Sequence, residues 1–264
     1  MAELTVNGVS LAFEDRGAGS PALVFVHGFA CDRRAWMPQV EDLSRDHRCV
    51  AIDLRGRGES GATPPFDVTT AADDVAAVIA DLGIGPAVIV GHSLGGVIAL
   101  LLNERHPDLV LGTVVGDSPI GPAFAERREP ALPARIRAAG SMQPAARMVE
   151  RFWGEETTPS VRAYGGVMMS CAPDVAAGML DGFEDVAERF GELVRLADRK
   201  PFMAIWSGAP LGDPAWLRDA TMFVRQEPVA GAGHFFQLEQ PAVTSALLRA
   251  FLDDIRHDPR VSGG

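Results

Sequence analysis

Residues 87–102 read Ala-Val-Ile-Val-Gly-His-Ser-Leu-Gly-Gly-Val-Ile-Ala-Leu-Leu-Leu and set one serine, Ser93, between an apolar run of strand length and an apolar run of helix length. Gly91 and Gly95 stand two residues to either side, so no neighbouring side chain crowds Ser93 and the chain can turn sharply. Such a turn holds the serine in a strained conformation, with its hydroxyl projecting above the end of the sheet. It also opens a helix whose free NH groups and dipole favour negative charge beside the serine. The competing reading is a glycine-rich turn with a capping serine, but the strand before it and the helix after it predict a nucleophile elbow.

On both sides of this turn, short apolar runs alternate with helical spacing. The runs at 22–26, 49–52, 87–90 and 110–115 each end in Gly, His or Asp and read as buried parallel strands. Helical patterns cover 36–43, 71–82 and 94–104, with Gly83 placed to stop the second. Residues 4–6 and 10–14 flank Asn7-Gly8, a pair that supplies the positive φ angles of a tight turn, and predict an antiparallel hairpin at the sheet edge. The alternation implies an α/β fold, a mostly parallel eight-stranded sheet covered on both faces, with right-handed crossovers.

After Ser118-Pro119 the alternation stops. Residues 119–200, rich in Ala, Arg, Met, Glu and Pro, predict a helical lid inserted after strand 6, and 1–118 with 201–264 form the core domain. Strands at 202–206 and 221–224 and an amphipathic helix at 243–255 complete the core, with 256–264 expected to fray. Within the lid, residues 126–151 carry Arg127, Arg128, Arg135, Arg137, Arg147 and Arg151, which read as a solvated helix face, with steering of an anionic substrate as the alternative.

A chain of 264 residues that is 47% hydrophobic can bury the core of one large domain. Its net charge of -11 argues against a nucleic-acid or anionic-membrane surface, since both demand clustered positive charge. No apolar stretch reaches the ~20 residues that span a bilayer. Three widely spaced cysteines and an N-terminus with neither a basic flank nor an apolar signal core lead to an expected cytoplasmic location.

A serine hydroxyl is a poor nucleophile at neutral pH and needs a base, which in turn needs a partner to hold its tautomer. His234, in Ala-Gly-Ala-Gly-His-Phe-Phe after the last predicted strand, is the candidate base, because the small residues 230–233 let its loop pass close to the elbow. His47, His106 and His257 lie at element ends beside charges or proline, and His92 is fixed inside the turn. His27-Gly28-Phe29 ends a strand in a tight loop, so the backbone NH groups of Phe29 and Leu94 are candidate oxyanion donors.

These residues carry a resemblance to the α/β-hydrolase superfamily, in particular its lidded esterase, lactonase and carbon-carbon hydrolase group. His27-Gly28-Phe29, the loop Asp53-Leu54-Arg55-Gly56-Arg57-Gly58-Glu59-Ser60, the elbow and Gly233-His234-Phe235 resemble family motifs in the right order. Only the lid matches nothing. The resemblance implies that Asp53 and Arg55 are structural, and that the catalytic acid follows the penultimate strand in a Gly-x-x-Asp pattern. Residues 205–211, Ile-Trp-Ser-Gly-Ala-Pro-Leu, hold no carboxylate at that spacing, and Asp213 arrives late. In a minority of the family, including some dehalogenases, lactonases resembling zearalenone hydrolase and cofactor-free dioxygenases, the acid stands at the strand end occupied here by Asp117. The vacant usual position and the rigidity of a strand end favour Asp117, with Asp213 as the alternative.

Cys31 and Cys49 read as packing, no residue spacing resembles a metal site, and the glycine-rich turn lacks the lysine of a phosphate-binding loop. No cofactor or metal is implied. The expected activity is a serine hydrolase cleaving a carboxylic ester or lactone through an acyl-enzyme. Phe29, Phe124, Phe152 and Trp153, with Tyr164 and Met142, Met148, Met168 and Met169, suggest an apolar pocket for a small apolar or aromatic substrate, although several of them must form lid core. Two rivals remain: carbon-carbon hydrolysis or cofactor-free oxygenation on the same scaffold, and a receptor-like protein whose main role is ligand binding.

Overall fold

The computed structural model describes residues 1–125, 129–154 and 157–261, apart from the side chains of Ala123 and Ala125. One sheet holds β1 (Ala2–Val6), β2 (Val9–Arg16), β3 (Leu23–Val26), β4 (Cys49–Ile52), β5 (Ala87–His92), β6 (Val110–Gly116), β7 (Phe202–Trp206) and β8 (Arg225–Pro228). Their order is β1-β2-β4-β3-β5-β6-β7-β8. The first two pairings are antiparallel and all the others parallel. Asn7 and Gly8, at φ 48° and 75°, make the turn of the edge hairpin.

Helices α1 (Met37–Leu43), α2 (Val68–Asp81) and α3 (Leu94–Arg105) connect the first strands. Between β6 and β7 run α4 (Pro122–Ala125), α5 (Leu132–Ala139), α6 (Ala146–Glu150), α7 (Pro159–Arg162), α8 (Gly165–Met169), α9 (Pro173–Ala187) and α10 (Phe190–Ala197). The chain closes with α11 (Pro214–Ala220), α12 (Phe236–Glu239) and α13 (Pro241–His257).

Side chains alternate along the central strands and so build two cores. Val24, Val26, Val50, Ile52 and Ile89 face α2 and α3. Leu23, Phe25, Ala51, Val88 and Val90 face α1 and α13. Burial on both faces explains why these strands read as continuous apolar runs. Asp67 caps α2 by accepting from the Thr70 NH at 2.7 Å, which starts the helix ahead of the predicted residue 71. Helix α10 lies along α3, so the end of the 119–200 segment packs with the sheet's own helices. Helix α9 presents Gly178 and Gly182 to residues 66–67. A Cβ at Gly178 would lie 2.4 Å from the Phe66 carbonyl oxygen.

Two expectations are corrected. The last strand is β8, not 221–224, because the Asp198 carboxylate takes the NH groups of Met222 and Phe223, at 2.6 and 3.1 Å, and holds them out of the sheet. As an edge strand, β8 tolerates its polar sequence. Arg256 and His257 do not fray but form the last turn of α13, and Arg260 packs over the Phe223 ring at 4.9 Å. Of the arginines in residues 126–151, Arg135 pairs with Glu129 and Arg137 with Asp181 at the surface, whereas Arg127 and Arg128 lie outside the described residues. Among the described residues no helix is long and apolar enough to cross a membrane.

Candidate active site

Ser93 sits at φ 53° and ψ -120°, between β5 and α3, and is buried. Its NH donates to the Gly116 carbonyl at 2.7 Å, tying the turn to the end of β6. The turn is too tight for side chains at its flanks: a Cβ at Gly91 would meet the Gly95 oxygen at 2.2 Å, and one at Gly95 the Val26 oxygen at 2.3 Å. Positive φ in a non-glycine residue is strain that the surrounding pairing must hold in place. Ser93 Oγ makes no hydrogen bond among the described residues.

The imidazole of His234 is placed from three sides. The His234 backbone NH donates to the Phe152 carbonyl at 2.8 Å, the His234 backbone carbonyl accepts from His92 Nε2 at 2.8 Å, and the ring Nδ1 lies 2.7 Å from Asp117 Oδ2. A carboxylate only accepts, so Nδ1 is the protonated nitrogen, and in the neutral imidazole Nε2 keeps its lone pair. His92 is next to the serine in sequence, and its ring centre is 4.5 Å from that of His234. Burial first, and then the neighbouring His234, holds His92 well below the usual imidazole range, so it stays neutral. Its Nδ1 is buried without a partner among the described residues.

Asp117 follows β6 at φ 42° and is almost wholly buried. Its Oδ1 accepts from the NH groups of Ser207 and Leu211, at 3.3 and 3.2 Å. The loop that lacks an acid thus supplies donors to the acid on the preceding strand. Asp213 does not reach His234. It caps α11, accepting from the Trp216 NH at 2.9 Å.

At the end of β3, His27 Nδ1 donates to the Gly28 carbonyl at 2.9 Å and Nε2 accepts from the Leu54 NH at 3.1 Å. Burial lowers the pKa of His27, consistent with this neutral clamp. A Cβ at Gly28 would stand 3.0 Å from Ser93 Cβ, so only glycine lets this loop run against the serine. The NH groups of Phe29 and Leu94 donate to no carbonyl or side chain among the described residues. Both residues line a cavity of about 10 Å³, closed over by Cys171, Val175, Ala176 and Met179 and roomy enough for about one water.

Phe152 lies against the His234 ring with centroids 4.4 Å apart, and Trp153 stacks on Phe235 at 4.9 Å. Phe124 is placed differently. Its ring packs on Phe183 and lines a separate cavity of about 210 Å³, with Pro122, Phe190 and Trp216, that shares no lining residue with the one at Leu94. Tyr164 bonds the backbone and carboxylate of Asp32, and Met142 and Met168 are buried in the core. Arg55 forks onto Asp74 at 2.6 Å through two nitrogens, and Asp53 pairs with Arg33. Burial pushes up the Cys31 and Cys171 thiols and takes Cys49 to about 12, which keeps all three protonated. Among the described residues no cluster of three His, Cys, Asp or Glu side chains fits a metal ion.

One buried cation escaped the sequence reading. Arg57, only 7% exposed, also lines the small cavity, and no sequence signal separates it from the structural loop around it.

A family model described as "Alpha/beta hydrolase family" matches residues 23–247. The 2-(acetamidomethylene)succinate hydrolase of Mesorhizobium japonicum is 30% identical over 271 residues, spanning 94% of this chain and 93% of that protein. The solved structure of a thermophilic esterase from Thermogutta terrifontis superposes with a TM-score of 0.82 at 26% identity, covering 97% of this chain and 99% of the esterase. The enol-lactonase from Burkholderia xenovorans LB400 shares the fold, with a TM-score of 0.83 at 24% identity over 96% of this chain and all (100%) of that one.

Proposed function

This chain belongs to the alpha/beta hydrolase family, and from that premise we propose that it is a serine hydrolase of carboxylic esters, lactones included, acting through an acyl-enzyme. The observation that carries the reading is the 2.7 Å bond from His234 Nδ1 to Asp117 Oδ2 beside a strained serine. In this scheme Nε2 takes the Ser93 proton as Oγ attacks the substrate carbonyl, and Asp117 stabilises the imidazolium that forms. The NH groups of Phe29 and Leu94 receive the oxyanion. As the tetrahedral adduct collapses, the imidazolium protonates the departing alkoxide. Water then attacks the acyl-enzyme, passing its proton to the same nitrogen, and the acid leaves as Ser93 is restored.

Ser93 Oγ and His234 are not hydrogen-bonded in this state, and such bonds are often long until substrate closes the site. Segment 119–200 is the cap in this reading, since Val175 and Met179 cover the cavity at Phe29 and Leu94. The name of the Thermogutta relative supports ester hydrolysis, and that of the Mesorhizobium relative supports hydrolysis of a small molecule.

The test is labelling with a fluorophosphonate, followed by a panel of esters and lactones on wild type and Ser93→Ala. Labelling and turnover that both vanish in the variant support the proposal. Oxygen uptake or ketone cleavage without ester turnover supports the oxygenase or carbon-carbon reading instead. A single burst without turnover points to a receptor-like role.

A further inference from the structure

Arg57 differs from the other arginines of its loop region in what it lacks. Arg55 has Asp74, and Arg33 has Asp53 and Glu59. Arg57 is buried nearly as deeply as Ser93 and His234 and has no carboxylate partner among the described residues. It donates to main-chain carbonyls, Nε to Cys31 at 2.8 Å and Nη2 to Ala30 at 2.6 Å and Val167 at 3.1 Å, and it also bonds the Cys171 thiol. Its neighbour Cys171 is a thiol held protonated by burial, so it carries no compensating charge. The nearby acids are already committed, Asp32 to Arg34 and Asp53 to Arg33.

A guanidinium has five N–H donors in a planar fork, and the two on Nη1 meet no oxygen among the described residues. Carbonyl dipoles offset part of the cost of burying this cation and leave its net charge in place. That charge stands in the wall of the cavity that also holds Phe29 and Leu94, in a lining otherwise apolar except for the neutral His27.

We propose that Arg57 recognises a carboxylate on the substrate, so that the ester or lactone cleaved here is a compact anion with its carboxylate a short chain away from the reacting carbonyl. This assignment rests on the serine-hydrolase reading for the reaction, and on Arg57 alone for the charge. The uncommitted Nη1 facing a carboxylate makes a charge-assisted hydrogen bond, which a neutral analogue does not make.

The experiment compares 4-nitrophenyl hydrogen succinate with its methyl ester on wild type, Arg57→Lys and Arg57→Gln. The expected wild-type preference in kcat/KM for the anion is at least about tenfold, retained in part by lysine and reduced to about one by glutamine. A second arm measures the thermal shift that butyrate gives, against butyramide, on Ser93→Ala with and without Arg57→Gln. A shift with butyrate only, lost in the double variant, supports the assignment even if the protein hydrolyses neither ester. Equal loss on both esters with no butyrate shift overturns it and leaves Arg57 as a strap between residues 30–31 and 167. If Ser93 labels normally under that outcome, the hydrolase reading stands without the anion.

Discussion

Replacing Asp117 by asparagine changes one atom and, on this geometry, inverts the tautomer of His234. Oδ1 faces two NH donors, from Ser207 and Leu211, so an asparagine must put its carbonyl oxygen there. Its NH2 then points at His234 Nδ1, 2.7 Å away in the wild type. Two donors cannot face each other, so Nδ1 gives up its proton and becomes the acceptor. Nε2 becomes the protonated nitrogen and cannot take the Ser93 proton as the proposed mechanism requires. The backbone at φ 42° suits asparagine as well as aspartate, so the fold is preserved. The expected loss in kcat is ~10³-fold or more, about 4 kcal/mol of barrier, with KM little changed because Asp117 lies behind the histidine. Asp213→Asn keeps the cap on α11, since asparagine caps as well as aspartate, and is expected to stay within about twofold. Steady-state hydrolysis of a chromogenic ester by both variants, with circular dichroism to establish folding, makes the comparison. An Asp117→Asn enzyme within tenfold of wild type, or an Asp213→Asn enzyme that is the more damaged of the two, refutes the tautomer argument.

Gly28→Ala forces its Cβ to within 3.0 Å of Ser93 Cβ and 2.9 Å of His92 Nδ1, so kcat and the fluorophosphonate labelling rate are expected to fall together, by about tenfold or more, while the melting temperature drops only modestly. Gly178→Ala drives α9 off Phe66 and lowers the melting temperature by several degrees, roughly 1–3 kcal/mol, and a calorimetric scan that is unchanged contradicts the docking described. The buried imidazoles of His27 and His92 titrate below their unfolded value of 6.5, so their contribution to stability is complete above that pH and is lost as the pH falls, when the unfolded chain binds protons that the folded one refuses. Urea midpoints measured from pH 7.5 to 5.5 should fall accordingly, by at most about 3 kcal/mol per pH unit, and a flat or rising series would sink this account.

Local chemistry was enough to read the central strands, the elbow at Ser93 and the edge hairpin, because burial on both faces and a tight turn each demand particular residues at adjacent positions. The same logic failed at 221–224, where an apolar run looked like a strand but two of its NH groups answer to Asp198, far away in sequence. Phe124 and Phe152 were indistinguishable as lid aromatics, yet one packs on Phe183 and the other on His234.

What the chain determined by itself is the order of its parts: a serine in a strand-to-helix turn, an acid-bearing strand end after it and a histidine in a small-residue loop near the C-terminus. Only the tertiary structure decided which aspartate meets His234, because that depends on where a strand end and a loop 117 positions apart converge. It also decided that Arg57 is buried with no carboxylate partner among the described residues. A charge shows its type in sequence, but whether anything neutralises it depends on every chain segment that packs around it.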